Sequence, residues 1–339
     1  MALIADRTEH AAAELDFRRT VDRTLVHRRA LSEVFLTDFR ATTEGRFVAA
    51  AQLPPSHAYY TDHLTVLPVI DPLLVVECCR QAETYAGHEL VGVPLGHRFV
   101  LREWSVELDG LAGVRIPSVP AELIITGATS DRVERAGKVR GITFGMELAL
   151  AGSHVGSARM VVAYLPPSAY DLLRSGRRGG PPPISDDLRE PREGSPVAPA
   201  RVGRRSPANV VLTAVETARP HATAELSVPF VNPSMFDHAQ DHVPGMVLME
   251  GARQLALAAL AEGRGSAVAN LAVMTLAAKF SQYAELDTPT RLRAETVAGT
   301  GSLSRRTTAR VSFEQDGTPI AHAVIGLADL VTHPVSLAN

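Results

Sequence analysis

The chain has 339 residues, more than one ordinary core accommodates, and its length suits two domains. Hydrophobic residues at 45 % and charged residues at 21 % are ordinary for a soluble globular protein. A net charge of −3 gives no reason to expect nucleic acid or an anionic membrane as a partner.

The opening MALIADRTEHAAAELDFRR lacks the charged-then-apolar pattern of a signal peptide, so residues 1–24 read as an N-terminal extension. Uncharged runs such as residues 265–278 fall short of the roughly 18 residues of a membrane span, and a cytoplasmic location is expected. A first domain is expected over 25–165. Its stretch Leu73 to Ala82 is apolar on nearly every face except at Glu77, Arg80 and Gln81, and Pro72 suits the first turn of a helix. Phe99–Asp109 follows, then AELIITGATS, GITFGMELALAG and SARMVVAYLP, whose period-2 alternation predicts antiparallel strands. Residues 166–206 are dense in Pro, Gly, Arg and Ser and read as a flexible, solvated linker.

A second domain is expected over 207–335, and it repeats the first. Asp237-His238 matches Asp62-His63, and Glu250, Arg253 and Gln254 match Glu77, Arg80 and Gln81. Lys279–Asp287 resembles Phe99–Asp109, and RLRAETVAG, TARVSFEQDG and IAHAVIGLADL are its alternating stretches. A helix apolar all round, here Met246 to Leu260, must be buried on all sides. The predicted fold is therefore α+β, a tandem hot-dog. In it, two antiparallel sheets each wrap a long central apolar helix and form a pseudo-dimer within one chain.

His63 to Glu77 and His238 to Glu250 span 14 and 12 residues (77 − 63 and 250 − 238). The first half resembles the 3-hydroxyacyl-carrier-protein dehydratases in this spacing, and the second resembles them in HVPGMVLMEGARQ. That resemblance implies a histidine from one hot-dog unit facing an acid from its neighbour: His238 with Glu77, and His63 with Glu250. An imidazole near neutral pKa and a desolvated carboxylate with a raised pKa form a workable acid–base pair. Gly245 at the second helix start can offer its N–H to an oxyanion, whereas Pro72 has none, which favours the site of His238, Gly245 and Glu77. The bland reading of Glu77–Arg80 and Glu250–Arg253 is a pair of mutually neutralising ion pairs. The loop cluster Asp237, His238, Asp241 and His242 lacks a third separated ligand pattern, so no metal and no cofactor are expected. Adjacent Cys78 and Cys79 lie within the buried helix and read as packing.

The doubled Glu-x-x-Arg-Gln, the second-half Asp-His-x-x-Asp-His-Val-Pro-Gly-Met and the opening VHRRALSEVFLTDF resemble the A-factor biosynthesis (AfsA-like) family over residues 25–165 and 207–330. The resemblance implies synthesis of γ-butyrolactone or related furan signalling molecules. A β-ketoacyl group would pass from acyl carrier protein to the hydroxyl of dihydroxyacetone phosphate. Glu77 or His238 would deprotonate the hydroxyl, and Gly245 N–H would hold the thioester oxyanion. Arg80 or Arg253 would grip the phosphate or orient a glutamate, with Gln81 and Gln254 beside them in substrate binding. Glu250 and His63 form the second such set. The rival readings are a hot-dog dehydratase or thioesterase, and a non-catalytic protein that binds an acyl chain or lactone. Monomer and homodimer both fit this organisation.

Overall fold

The computed structural model describes residue 8 and residues 10–108, 119–188, 197–264, 267–298 and 306–330. Contacts divide the chain into two units, Met1–Pro55 with Leu74–Pro181, and Ser56–Leu73 with Pro182–Asn339.

In the first unit, β1 (Leu36–Thr43) and β2 (Arg46–Leu53) form a hairpin whose turn places Gly45 at φ 69°, a region that glycine adopts without strain. Helix α1 (Pro72–Glu89) follows, with Asp71 as its cap: the carboxylate accepts from Leu73 N–H at 2.8 Å, and Pro72 occupies the position where a missing N–H costs nothing. Then come β3 (Arg98–Leu108), β4 (Ala121–Arg135), β5 (Lys138–Leu150) and β6 (Ser153–Leu165). Among the described residues the antiparallel order is β1-β2-β4-β5-β6-β3. Phe99 of β3 and Tyr164 of β6 close over Gly87, while Phe39 of β1 stacks near Tyr85, so sheet residues meet α1 on several faces. Leu74, Val75, Val76, Cys78, Cys79, Ala82 and Ala86 are all buried. Burial of each large side chain contributes about 1.5–3 kcal/mol.

The second unit repeats this plan with β7 (Leu212–Ala218), β8 (His221–Leu226), helix α2 (Gly245–Arg264), β9 (Leu271–Phe280), β10 (Arg291–Ala298), β11 (Arg306–Gln315) and β12 (Thr318–Asp329). Its order, β7-β8-β10-β11-β12-β9, is that of the first unit strand for strand. All six strands pack on α2. A side chain at Gly251 would press on Leu212, Leu226 and Leu292, so the glycine lets three strands approach the helix.

Three expectations change. The stretch 166–206 is not a solvated linker over its described residues. Pro167–Arg178 is a helix closed by Gly179, Ser185–Asp187 and Pro199–Val202 are short 3-10 turns, and Arg174, Ser185, Val197, Val202 and Arg204 are buried. Composition hid this because its few anchoring side chains are separated by Pro and Gly; residues 189–196 lie outside the described residues. The domain boundaries also shift, since Ser56–Leu73 belongs to the second unit, as do residues from Pro182 on. Finally, Lys279–Asp287 is strand only to Phe280; the equivalent of β3 is the continuous apolar run of β9 just upstream. The ends of the expected extension (1–7 and 9) and of the second domain (331–335) lie outside the described residues.

Candidate functional site

Each central helix carries one buried carboxylate, and each carboxylate is saturated with donors. In the first unit Glu77 is fully buried. Its Oε1 accepts from Arg28 Nε at 3.0 Å, from Arg80 Nη2 at 2.8 Å and from Gln81 Nε2 at 2.8 Å, while Oε2 accepts from Arg80 Nε at 2.8 Å. Gln81 also reads the backbone leading into β1, accepting from Phe35 and Leu36 N–H and donating to Glu33 C=O. Arg80 reaches back to Val26 C=O at 3.0 Å and to Thr84 Oγ1 at 3.2 Å.

The second unit reproduces this with one more acid. Glu250 is fully buried and accepts from Arg204 Nε at 2.8 Å, from Gln254 Nε2 at 2.5 Å, from the Tyr59 hydroxyl at 2.9 Å and from Arg253 Nη2. Gln254 bonds Val211 N–H and Asn209 C=O, as Gln81 bonds its own leading strand. Arg204 donates to Tyr59 C=O and lies over the Tyr59 ring at 4.5 Å. Arg253 is shared with a second carboxylate, Asp71, at 2.5 Å.

These donors decide the electrostatics. Burial alone raises a carboxyl pKa, but Arg28 with Arg80, and Arg204 with Arg253, overcome it and hold Glu77 and Glu250 down at about 2. The expected raised carboxylate is therefore not found at either position. It is found at Glu83, further along the same helix than Glu77, where burial pushes the carboxyl up to about 8.

The two Asp-His motifs differ in their bonding, although both belong to the second unit. Asp237 accepts from His238 Nδ1 at 2.5 Å, which leaves Nε2 as the ring's lone-pair nitrogen, 2.6 Å from the Gln240 amide. Asp241 and His242 pair in the same way at 2.6 Å. Asp62 instead accepts from Ser206 N–H and Asn209 Nδ2, so it does not orient His63. His63 Nδ1 meets Tyr60 C=O, its backbone bridges Arg204, and burial lowers its pKa, keeping the ring neutral. Gly245 opens α2 after Pro244, whose C=O accepts from Val247 and Leu248 N–H. Gly245 N–H is thus among the first-turn donors with no intrahelical acceptor.

His63 and Glu250 thus share a neighbourhood through Arg204. Glu77 lies in the first unit and His238 in the second, so neither unit by itself contains that pair. Sequence reasoning missed Arg204, Tyr59 and Asp71, and gave Arg28 no role. A signal was available: Val26-His27-Arg28-Arg29 … Val34-Phe35-Leu36-Thr37 repeats as Val202-Gly203-Arg204-Arg205 … Val210-Val211-Leu212-Thr213. Burial pushes the Cys78 and Cys79 thiols up, Cys79 to about 12, in keeping with packing. Among the described residues no group of three or more His, Cys, Asp or Glu side chains is placed to hold a metal ion, and no helix is long and apolar enough to cross a membrane.

Residues 10–166 and 187–328 match the AfsA family, described as the A-factor biosynthesis hotdog domain. The second match takes in Arg204. A relative from Streptomyces virginiae, a 2-oxo-3-(phosphooxy)propyl 3-oxoalkanoate synthase, is 36 % identical over 312 residues, covering 91 % of this chain and 97 % of the relative. A synthase of the same name from Streptomyces coelicolor is 29 % identical, with 88 % of each chain covered. Among solved structures, an oleoyl thioesterase from Lactobacillus plantarum superposes with a TM-score of 0.51 at 10 % identity, over 87 % of this chain and all of that one, a likeness of fold alone.

Proposed function

Because the chain belongs to the A-factor biosynthesis hotdog family, we propose that it is an acyltransferase that joins a 3-oxoacyl group from acyl carrier protein to the hydroxyl of dihydroxyacetone phosphate. The observation that carries this is likeness to the Streptomyces virginiae synthase along 97 % of that protein. The product in its name is the ester of a 3-oxo acid with that triose phosphate. In forming it, the hydroxyl oxygen bonds to the thioester carbonyl carbon, the C–S bond breaks, and the hydroxyl proton ends on the carrier thiol. The ester holds a methylene between two carbonyls and a ketone within reach of it. Intramolecular condensation of the two closes a five-membered lactone, the ring of γ-butyrolactone and butenolide signals.

The base is a histidine, not a glutamate. Glu77 and Glu250 have their lone pairs engaged and remain anionic far below neutrality, so they serve to hold Arg80 and Arg253. His238, steered by Asp237, takes the hydroxyl proton; neutral His63 is the other candidate. Gly245 N–H receives the oxyanion. Arg80 and Arg253 are the cations for the phosphate, and Arg80 is the more open, its side chain 18 % exposed against 6 %. Gln81 and Gln254 fix the helix against its leading strand. The carrier protein places the reaction in the cytoplasm, for a monomer or homodimer alike.

The test supplies a 3-oxoacyl carrier protein with and without dihydroxyacetone phosphate and follows products by mass spectrometry. Ester or butenolide phosphate formed only with the acceptor supports the reading. Thioester hydrolysis or hydration at the same rate without it would replace this reading with a thioesterase or dehydratase.

A further inference from the structure

Past the Arg80 turn, α1 carries polar groups with no counterpart in α2. Aligning Glu77 with Glu250 puts Glu83 opposite Ala256, Thr84 opposite Leu257 and His88 opposite Ala261. The apolar residues at these positions of α2 are buried, and their polar equivalents in α1 are buried too. A buried carboxyl without a full set of hydrogen-bond partners persists at a cost unless it is used.

The bonds around Glu83 form a chain to the arginine. Arg80 Nη1 donates to Thr84 Oγ1 at 3.2 Å, and the Thr84 hydroxyl lies 2.8 Å from Arg80 C=O and 3.2 Å from Glu83 Oε2. Glu83 Oε1 is buried without a hydrogen-bond partner among the described residues. Thr84 has one hydroxyl proton, and the shorter bond, to Arg80 C=O, uses it. Glu83 Oε2 is then satisfied only if Glu83 itself carries a proton and donates it to Thr84 Oγ1. In that state Arg80 Nη1, the Thr84 hydroxyl and Glu83 Oε2 are matched at once, and only the carbonyl Oε1 keeps no partner among the described residues. An ionised Glu83 would need donors: the Thr84 hydroxyl and the Arg80 guanidinium would each have to leave a present partner, and the Tyr164 hydroxyl, which has none among the described residues, would have to move into hydrogen-bond reach.

We propose that Glu83 is a positioning residue that, through the Thr84 hydroxyl, sets where the Arg80 guanidinium lies, and that it does so as a neutral carboxylic acid. The groups facing it are few: Arg80 and Thr84 on its own helix, and Tyr164 on β6, whose buried hydroxyl also lacks a partner among the described residues. One turn on, His88 Nε2 meets His27 Nε2 at 2.9 Å, and His88 Nδ1 bonds Val93 C=O. Arg80 is the only cation on α1 close enough to favour ionisation, and burial outweighs it. Loss of the Glu83 proton therefore draws Arg80 away from Glu77, and with it the cation assigned above to the phosphate. The consequence for catalysis rests on that assignment; the bonding itself does not.

The test compares the full chain with Glu83→Gln, whose amide donates to Thr84 Oγ1 at every pH, and with Thr84→Val, which cuts the chain. Infrared difference spectra should show a protonated-carboxyl C=O band at neutral pH that titrates away near pH 8 and is missing in E83Q. The ¹⁵N shift of Arg80 Nε, assigned with R80K, should move through the same pH range in the wild type and stay fixed in E83Q and T84V. With dihydroxyacetone phosphate, wild-type KM should rise about tenfold per pH unit above that midpoint, while E83Q stays flat and kcat changes little. Absence of the band, or an Arg80 signal that moves equally in E83Q, overturns the proposal. Both spectroscopic results as expected, with no acyl transfer in any variant, would retain Glu83's role and remove the acyltransferase reading.

Discussion

Arg204 is 1 % exposed and pairs with Glu250 as Arg28 pairs with Glu77, so each helix carboxylate takes one arginine from its own helix and one from the segment leading into the unit's first strand. Removing one partner of such a pair leaves an uncompensated buried charge. Arg204→Ala should lower stability by about 3–5 kcal/mol, read as the midpoint of urea unfolding. A loss under 1 kcal/mol would mean that Glu250 finds other compensation.

Acid sensitivity follows from the same pairs. Glu77 and Glu250 sit at about 2 in the folded chain, below the ordinary 4.5 of an unfolded glutamate. Their stabilisation is complete above about pH 4.5 and is lost as pH falls through that value towards 2. Glu77→Gln and Glu250→Gln should each flatten the fall of Tm in that window while lowering Tm at neutral pH. Unchanged acid slopes in both would show that other carboxylates govern acid unfolding.

Glu83 acts with the opposite sign. Its folded value of about 8 lies above the ordinary one, so the stability it contributes is present below about pH 4.5 and lost as pH rises through 8. Glu83→Gln should therefore be more stable than wild type at neutral and alkaline pH, measured by calorimetry at matched ionic strength. Equal Tm values across the range would contradict the shift.

The two helix starts give a contrast in one atom. Gly245→Pro removes an N–H that the helix does not use, at a position where Pro72 is already tolerated in α1, and brings a Cβ to the same Phe280 ring that Gly245→Ala meets. We expect kcat for acyl transfer to fall about 10²–10³-fold, with circular dichroism unchanged. Gly245→Ala, which keeps the N–H but brings a methyl to 3.2 Å from the Phe280 ring, should cost far less. Equal loss in both would point to packing rather than to the donor.

His238→Gln should reduce kcat by about 10²–10⁴-fold, and Asp237→Asn should reproduce part of that loss by releasing the ring from its tautomer. His63→Gln distinguishes the two imidazoles: a larger loss there, in the same assay, would move the base role to His63.

The elements legible in the sequence were those with a strong local pattern. Leu73–Ala82 and Met246–Leu260 are apolar on every face but one and start at Pro72 and Pro244-Gly245, so their burial followed. The alternating stretches became β4 to β6 and β10 to β12. β9 was missed because LAVMTLAA is continuously apolar and carries no period. Glu77, Arg80, Gln81 and their repeats stood out as polar residues on an apolar rod, but not their titration, which is set by donors distant in sequence, Arg28 and Arg204. Arg204 sat at the end of a Pro- and Arg-rich stretch, where composition argued for solvent. Glu83 lies one residue past the apolar stretch Leu73–Ala82 and drew no reading from the sequence; its burial comes with Tyr164 of β6, a residue distant in sequence.

Tyr59 and Asp71 are translated long before Arg204, Glu250 and Arg253, yet they complete the cluster those later residues form. During synthesis the Asp71 carboxylate and the Tyr59 phenol must wait in water until the C-terminal portion leaves the ribosome. The second unit therefore matures last and from two separate lengths of polypeptide. Cutting the gene between the halves would deprive the downstream fragment of a tyrosine and an aspartate that only the upstream fragment encodes.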